Sequence, residues 1–305
     1  MIMGPLSGIV PVLPTPFRPD GSLDLDSLAR ALDFCAGKGL PAACIPAYAS
    51  EFYKLTMDER YRLVEEAVKA SAGRVRIIAQ SNHFSGALAG QIARRNEDLG
   101  ADFVSVAIPR MFDISESDVH GFLEGVLRST SLPVLVQDFN PGGQTISASL
   151  ARRVNEDYPH FRYLKLEQPL MAPRVVEILQ QTAGKVQVLE GWGGLYLLEG
   201  IQAGICGAMP ALGVADVLQE TYDLAVGGNM NGASDRFERI LPYLVFSLQN
   251  MELLVRMEKR LLVRRGVLAS EHVREATLTP DPSTEAHVDF LIDRVLKVVE
   301  SASGS

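Results

Sequence analysis

The sequence predicts an α/β chain whose (β/α)₈ barrel is followed by a C-terminal helical extension. Three observations predict it: eight short apolar runs rich in β-formers, amphipathic stretches of helical spacing between them, and no phosphate-binding glycine loop after the first run. The runs are GIVPVL from Gly8, AACIPA from Ala42, RIIAQ from Arg76, FVSVAIP from Phe103, PVLVQD from Pro133, RYLKLE from Arg162, VQVLEG from Val186 and ICGAMPA from Ile205. Near-continuous apolar strands alternating with helices indicate a parallel sheet covered by helices, because only a strand buried on both faces tolerates that composition. Eight such units fit a closed barrel better than an open doubly wound sheet. Without GxGxxG after the first strand, a dinucleotide fold has nothing to hold its ligand with.

Between the runs, LDSLARALDFCAGKGL (Leu25 to Leu40) and MDERYRLVEEAVKASAG (Met57 to Gly73) carry apolar residues at helical spacing, and several such stretches end at glycine, a common C-cap. Strand signals stop near residue 228, which places the barrel at 1–228 and the extension at 229–305. Three further helices are predicted there, in ASDRFERILPYLVFSLQ, MELLVRMEKRLLVRRGVL and TEAHVDFLIDRVLKVVE. Their apolar faces need cover from the barrel wall or another subunit, so a homo-oligomer is expected.

The 305 residues are 47% hydrophobic, enough for a large core, and 29 basic against 37 acidic residues give a formal charge of −8. Mixed charge without a basic stripe argues against nucleic acid as a partner. No run approaches the roughly 18 apolar residues that cross a bilayer, and the first residues lack a secretory pattern, so a cytoplasmic protein that does not contact membranes is expected. Cys35, Cys44 and Cys206 are odd in number and sit in apolar surroundings, as buried thiols in a reducing compartment do. No CxxC or HxxxH spacing points to a metal site.

Lys165 lies inside an apolar run, at the C-terminal end of the sixth strand, where the reactive groups of parallel barrels gather. Two readings stand. Its stem can lie along the wall while the ammonium reaches water or pairs with Glu167. Alternatively, desolvation disfavours the charged amine and leaves a nucleophile able to form a Schiff base with a ketone.

With Lys165 in YLKLE, PTPF (Pro14 to Phe17) followed by DGSLD, SEFYKLT (Ser50 to Thr56) and GAMPALG (Gly207 to Gly213), the chain resembles the dihydrodipicolinate synthase and N-acetylneuraminate lyase family. The resemblance runs over the barrel and into the tail. It implies a TIM barrel with a helical extension, usually tetrameric, whose lysine forms a Schiff base with pyruvate or another 2-oxo acid and needs no metal or organic cofactor. A dimer is the other assembly expected. Two places depart from the synthase pattern. The loop after the second strand reads AYASE, so Tyr48 and Ala49 replace two threonines, and Ser50 with the Ala49 and Ser50 amides is left to hold the substrate carboxylate. At the end of the fifth strand Gln137 stands in place of a proton-relaying tyrosine, with Asp138 beside it.

In SEFYKLT, NHFS (Asn82 to Ser85), VQD, LKLE and EGWGG the chain is similar to the L-2-keto-3-deoxyarabonate dehydratase branch, which removes water from a 2-oxo-3-deoxy sugar acid. Arg110 and Met111, where much of the family has aromatic residues, and the loop FNPGG depart from the family.

The catalytic set expected is therefore Lys165, Gln137 to orient a water or hydroxyl, and Asp138 as the nearest ionisable relay. Ala49, Ser50, His83, Trp192, Gly207 and Met209 are expected around the substrate, His83 because its unperturbed pKa suits acid–base work. Glu51 is expected to tie down its own loop, Gly191 and Trp192 to wall the pocket, and Arg264 and Arg265 to be solvated ends of a tail helix. Through an iminium at C2 the lysine supports dehydration, retro-aldol cleavage or aldol addition. Dehydration is the first expectation, a pyruvate-dependent aldolase or synthase the second, and a non-catalytic barrel that senses a 2-oxo acid the third.

Overall fold

Alternation decides which side of each strand sees the barrel interior. On β5 (Val134–Phe139), Val134, Val136 and Asp138 point outward to the helices, whereas Leu135, Gln137 and Phe139 point inward. On β6 (Phe161–Glu167), Tyr163, Lys165 and Glu167 face inward. The other strands are β1 (Gly8–Ile9), β2 (Ala42–Ile45), β3 (Arg76–Gln80), β4 (Phe103–Ala107), β7 (Gln187–Glu190) and β8 (Gly207–Ala208). The computed structural model describes residues 4–110, 113–140 and 145–302. Met111 and residues 141–143 of the FNPGG loop lie outside these.

All eight strands are parallel, in the order β1-β8-β7-β6-β5-β4-β3-β2. A bridge between Val12 and Cys44 closes the ring, with the Leu13 amide donating to the Cys44 carbonyl at 2.9 Å and the Cys44 amide to that of Pro11 at 2.8 Å. The predicted (β/α)₈ barrel is thus the fold; six predicted runs contain their strands, while β5 ends at Phe139, one residue past its run, and β6 begins at Phe161, one residue before its run. The interior is filled in its lower part by Val10, Ala42, Ile78, Phe103, Leu135, Tyr163 and Leu189. Polar side chains begin above that plug, at the C-terminal ends of the strands.

Around the ring lie α1 (Leu25–Gly37), α2 (Met57–Ser71), α3 (Gly86–Asp98), α4 (Glu116–Leu127), α5 (Ala148–Asp157), α6 (Ala172–Gln181), α7 (Leu197–Ala203) and α8 (Ala215–Val226). Thr56, Ser85, Ser115 and Ser147 cap the N-termini of α2 to α5 through their hydroxyls, a contribution of about 1 kcal/mol each. Cys35 and Cys44 are free and buried, and burial pushes both thiols up to about 12, which leaves them inert. No helix among the described residues is long and apolar enough to cross a membrane.

The extension departs from the expectation of three helices. It holds α9 (Met230–Glu238), α10 (Leu241–Ser247), α11 (Met251–Arg264) and α12 (Pro282–Ala302). The first predicted helix is split because Pro242 has no amide to continue the ladder and instead occupies the opening turn of α10. Nor are both tail arginines solvated ends. Arg264 is partly exposed and pairs with Asp293 at 2.6 Å, but the Arg265 side chain is 5% exposed and grips Asp216 through both terminal nitrogens, at 3.0 and 2.6 Å. That fork fastens the end of α11 to the start of α8.

Glu51 does tie down its loop, and the tie runs to the extension. It sits at φ 58° and is fully buried. Its carboxylate accepts from Lys54 at 3.1 Å and from the buried Lys259 of α11, which also donates to the His272 carbonyl at 2.9 Å. The Lys259 ammonium lies 4.4 Å from the ring centre of Phe17. Burial lowers Lys259 to about 8 against the opposing pull of Glu51.

Candidate active site

Above the apolar plug a cavity of about 270 Å³ opens among strand ends and loops. Register brings its polar floor together: Gln137 lies beside Lys165 and Phe139 beside Glu167 across the β5–β6 pair. The Lys165 Nζ is 3.0 Å from Glu167 Oε1, both side chains are less than a tenth exposed, and the cavity lies directly beside them. Gln137 Nε2 donates to both Glu167 oxygens, at 3.0 and 3.2 Å. Burial raises the Glu167 pKa above the usual carboxylate range, opposed by Lys165 and by the hydrogen bonds from Lys165 and Gln137.

The walls are aromatic. Tyr48, in the 3₁₀ turn Tyr48–Ser50 after β2, has its ring centre 6.3 Å from Phe139, which stacks on Trp192 at 5.6 Å. Burial and the Glu167 charge both raise the Tyr48 phenol, which keeps it protonated. Trp192 is held by its loop. The Glu190 carboxylate accepts from the amides of Trp192 at 2.9 Å and Gly194 at 2.7 Å, while its burial pushes it up to about 7. The roof comes from Leu248 and Asn250 in the connection between α10 and α11 and from Leu254 of α11.

Of the residues expected here, Lys165, Gln137, Ala49, Trp192 and Met209 line the cavity together. Four do not. Asp138 points outward by alternation, is fully buried, and is held by Arg110 through two bonds of 2.9 and 2.8 Å and by the Ile146 amide at 2.5 Å. It fastens the loops after β4 and β5, and Glu167 is the carboxylate at the lysine. Ser50 spends its hydroxyl on backbone, donating to the Leu13 carbonyl after β1 at 2.5 Å and accepting from the Ala47 amide at 2.9 Å. His83 is exposed and accepts through Nδ1 from the Ser85 amide at 2.9 Å, as loop histidines do. Gly207 serves strand packing: a Cβ there would stand 1.9 Å from the Gly8 carbonyl oxygen.

Sequence reasoning passed over Glu167, Tyr48 and Phe139 as cavity groups. The period of two was the available signal, since Lys165 facing inward sends Glu167 inward too, and Gln137 does the same for Phe139. Gly191 has an equally local reason. A Cβ at this position would lie 2.4 Å from Glu167 Cγ and 2.8 Å from Lys165 Cγ, so the glycine makes room for the ion pair. Gly191→Ala is expected to slow capture of a 2-oxo acid on Lys165 by about 10- to 100-fold with the fold retained, measured as the rate of reductive trapping alongside circular dichroism.

Among the described residues no cluster of three histidine, cysteine or acidic side chains could hold a metal ion. Lys165 is the only cation among the described cavity residues.

A family model described as the dihydrodipicolinate synthetase family matches residues 5–293. An L-2-keto-3-deoxyarabonate dehydratase of Azospirillum brasilense is 30% identical over 285 residues, 92% of each chain. A 4-hydroxy-tetrahydrodipicolinate synthase of Xanthomonas campestris pv. campestris is 29% identical over 244 residues, 78% of this chain and 79% of its own. The dihydrodipicolinate synthase of Rhodopseudomonas palustris superimposes with a TM-score of 0.87 at 23% identity, over 94% of this chain and 97% of that one. Its barrel, its buried strand-end lysine and the match over nearly its whole length agree that this chain belongs to the dihydrodipicolinate synthetase family.

Proposed function

We propose that this family lyase dehydrates a 2-oxo-3-deoxy sugar acid, of which L-2-keto-3-deoxyarabonate is the first candidate, through a Schiff base on Lys165. Enzymes of the family use a covalent lysine Schiff base and no metal or other cofactor. One observation carries the reading: the group 3.0 Å from the lysine nitrogen is a buried carboxylate, and the neighbour on β5 is a carboxamide, whose N–H groups are too weakly acidic to relay protons. A carboxylate whose proton affinity burial has raised can take one proton from the Lys165 ammonium. The amine then attacks C2, a second nitrogen proton passes to the C2 oxygen as the carbinolamine forms, and the carboxylic acid returns the first proton to that hydroxyl as it leaves as water, giving the iminium.

The same carboxylate next removes a C3 proton, which the cationic iminium has made acidic. Glu167 is then a carboxylic acid facing an enamine. An acid so placed protonates the C4 hydroxyl, and the enamine electrons expel it as water. Aldol cleavage needs a base at that hydroxyl instead, so a single carboxylate cycling between its two forms favours loss of water. The L-2-keto-3-deoxyarabonate dehydratase relative agrees with this choice. The turn at Tyr48 and Ala49 supplies amides for the substrate carboxylate, and the protonated Tyr48 phenol a donor for a sugar hydroxyl. A homo-oligomer of two or four chains, acting in the cytoplasm, completes the proposal.

Incubation with pyruvate or a 2-oxo-3-deoxy acid and cyanoborohydride should add the mass of the reduced adduct to Lys165 alone. With the sugar acid, the unsaturated iminium should shift its C5 and hydroxyl protons to C3 and C4 and then hydrolyse with water, so that semialdehyde forms without pyruvate. Release of pyruvate instead would establish the aldolase reading, and no label from any 2-oxo acid would sink the Schiff-base chemistry.

A further inference from the structure

Behind Gln137 a second polar layer continues into the barrel. Gln80, 2% exposed, donates through Nε2 to Gln137 Oε1 at 3.1 Å and to Asn82 Oδ1 at 2.8 Å. Asn82 Oδ1 also accepts from the backbone amide of Ala107, at 2.7 Å. The Gln80 oxygen faces the Cys44 thiol at 3.6 Å. None of these groups except Gln137 lines the cavity.

The direction of the chain is forced from its far end. A backbone N–H can only donate, so Asn82 must present oxygen to Ala107. It does so although its Nδ2 then has no partner among the described residues. With that oxygen fixed, Gln80 must present its amino group, whose two hydrogens go to Asn82 and to Gln137. Gln137 is thereby compelled to offer oxygen to Gln80 and nitrogen to Glu167. A free carboxamide in its place could turn over and set its oxygen against the carboxylate.

We propose that Gln80 and Asn82 are positioning residues: anchored on the Ala107 amide, they lock the Gln137 carboxamide with its N–H groups toward Glu167, so that the group facing Lys165 is held as a base. The inference rests on the function proposed above and deepens it. Neither residue reaches the substrate; both act through Gln137. The donor from Gln137 is one of the interactions that oppose the burial-driven rise of Glu167. Its loss favours the protonated carboxyl, and the base then disappears at a higher pH.

The test is the rate of cyanoborohydride trapping of pyruvate on Lys165 as a function of pH, in wild type, Gln80→Met and Asn82→Leu. In both variants the acid limb should move up by about one pH unit, while the alkaline plateau falls less than about threefold. In a Glu167→Gln background, where no limb remains, Gln80→Met should change nothing further. Should Gln80→Met fail to fold, Gln80→Glu has the same shape, and once ionised it can only accept, so its limb must move as well. A lower plateau with an unmoved limb would reduce both residues to packing and overturn the inference alone. An unlabelled wild-type Lys165 would overturn the proposed function, which separates the two failures.

Discussion

Lys165→Ala is expected to abolish pyruvate-dependent mass addition under cyanoborohydride and to lower turnover of a 2-oxo-3-deoxy sugar acid by about 10⁴-fold or more. The lysine is the only amine among the described cavity residues, so no neighbour can take over attack on C2. The fold should survive. Removing the cation leaves Glu167 buried without its partner, and a carboxyl already raised by burial answers by taking up a proton rather than remaining charged. Mass spectrometry of the trapped protein and near-ultraviolet circular dichroism measure the two outcomes separately. Retention of more than about a hundredth of wild-type turnover would show that catalysis does not pass through this nitrogen.

Glu167→Gln carries the second largest effect. The substitution keeps shape and can still accept from Gln137, but it removes the carboxylate that accepts from the amine. Dehydration should fall about 10²- to 10⁴-fold, whereas pyruvate should still be captured by Lys165, more slowly, with solvent in place of the carboxylate as proton carrier. The sign of the pH dependence follows from the direction of the shift. Burial raises Glu167 above the ordinary 4.5, and the working form is the ionised one. Wild-type activity should therefore be lost as pH falls, at a pH above 4.5, and Glu167→Gln should lack that limb. A variant that keeps the wild-type acid limb would assign it to another group.

The barrel was legible because its signal is coarse. Eight apolar runs spaced by helices report burial on two faces, and that depends on residue class more than on any single contact. The lysine was legible for the opposite reason: one ammonium in an apolar strand end is costly enough to need a use. What escaped was orientation. Gln137 and Asp138 are adjacent in sequence, yet alternation sends one into the cavity and the other out to Arg110. Ser50 and His83 carry suitable chemistry but spend it on neighbouring backbone, a choice made by turn geometry that composition does not report. The contribution of the roof was hidden further, because Leu248 and Asn250 come from the extension and reach the cavity only through tertiary packing.

The buried contact of Glu51 with Lys259 joins the segment that carries Tyr48 to the helix that begins above the cavity. Rim and cover therefore behave as one mechanical part. Anyone transplanting this specificity onto a related barrel would have to move the loop and the tail as a set, since exchanging either alone would strand an ammonium or a carboxylate in a dry interior.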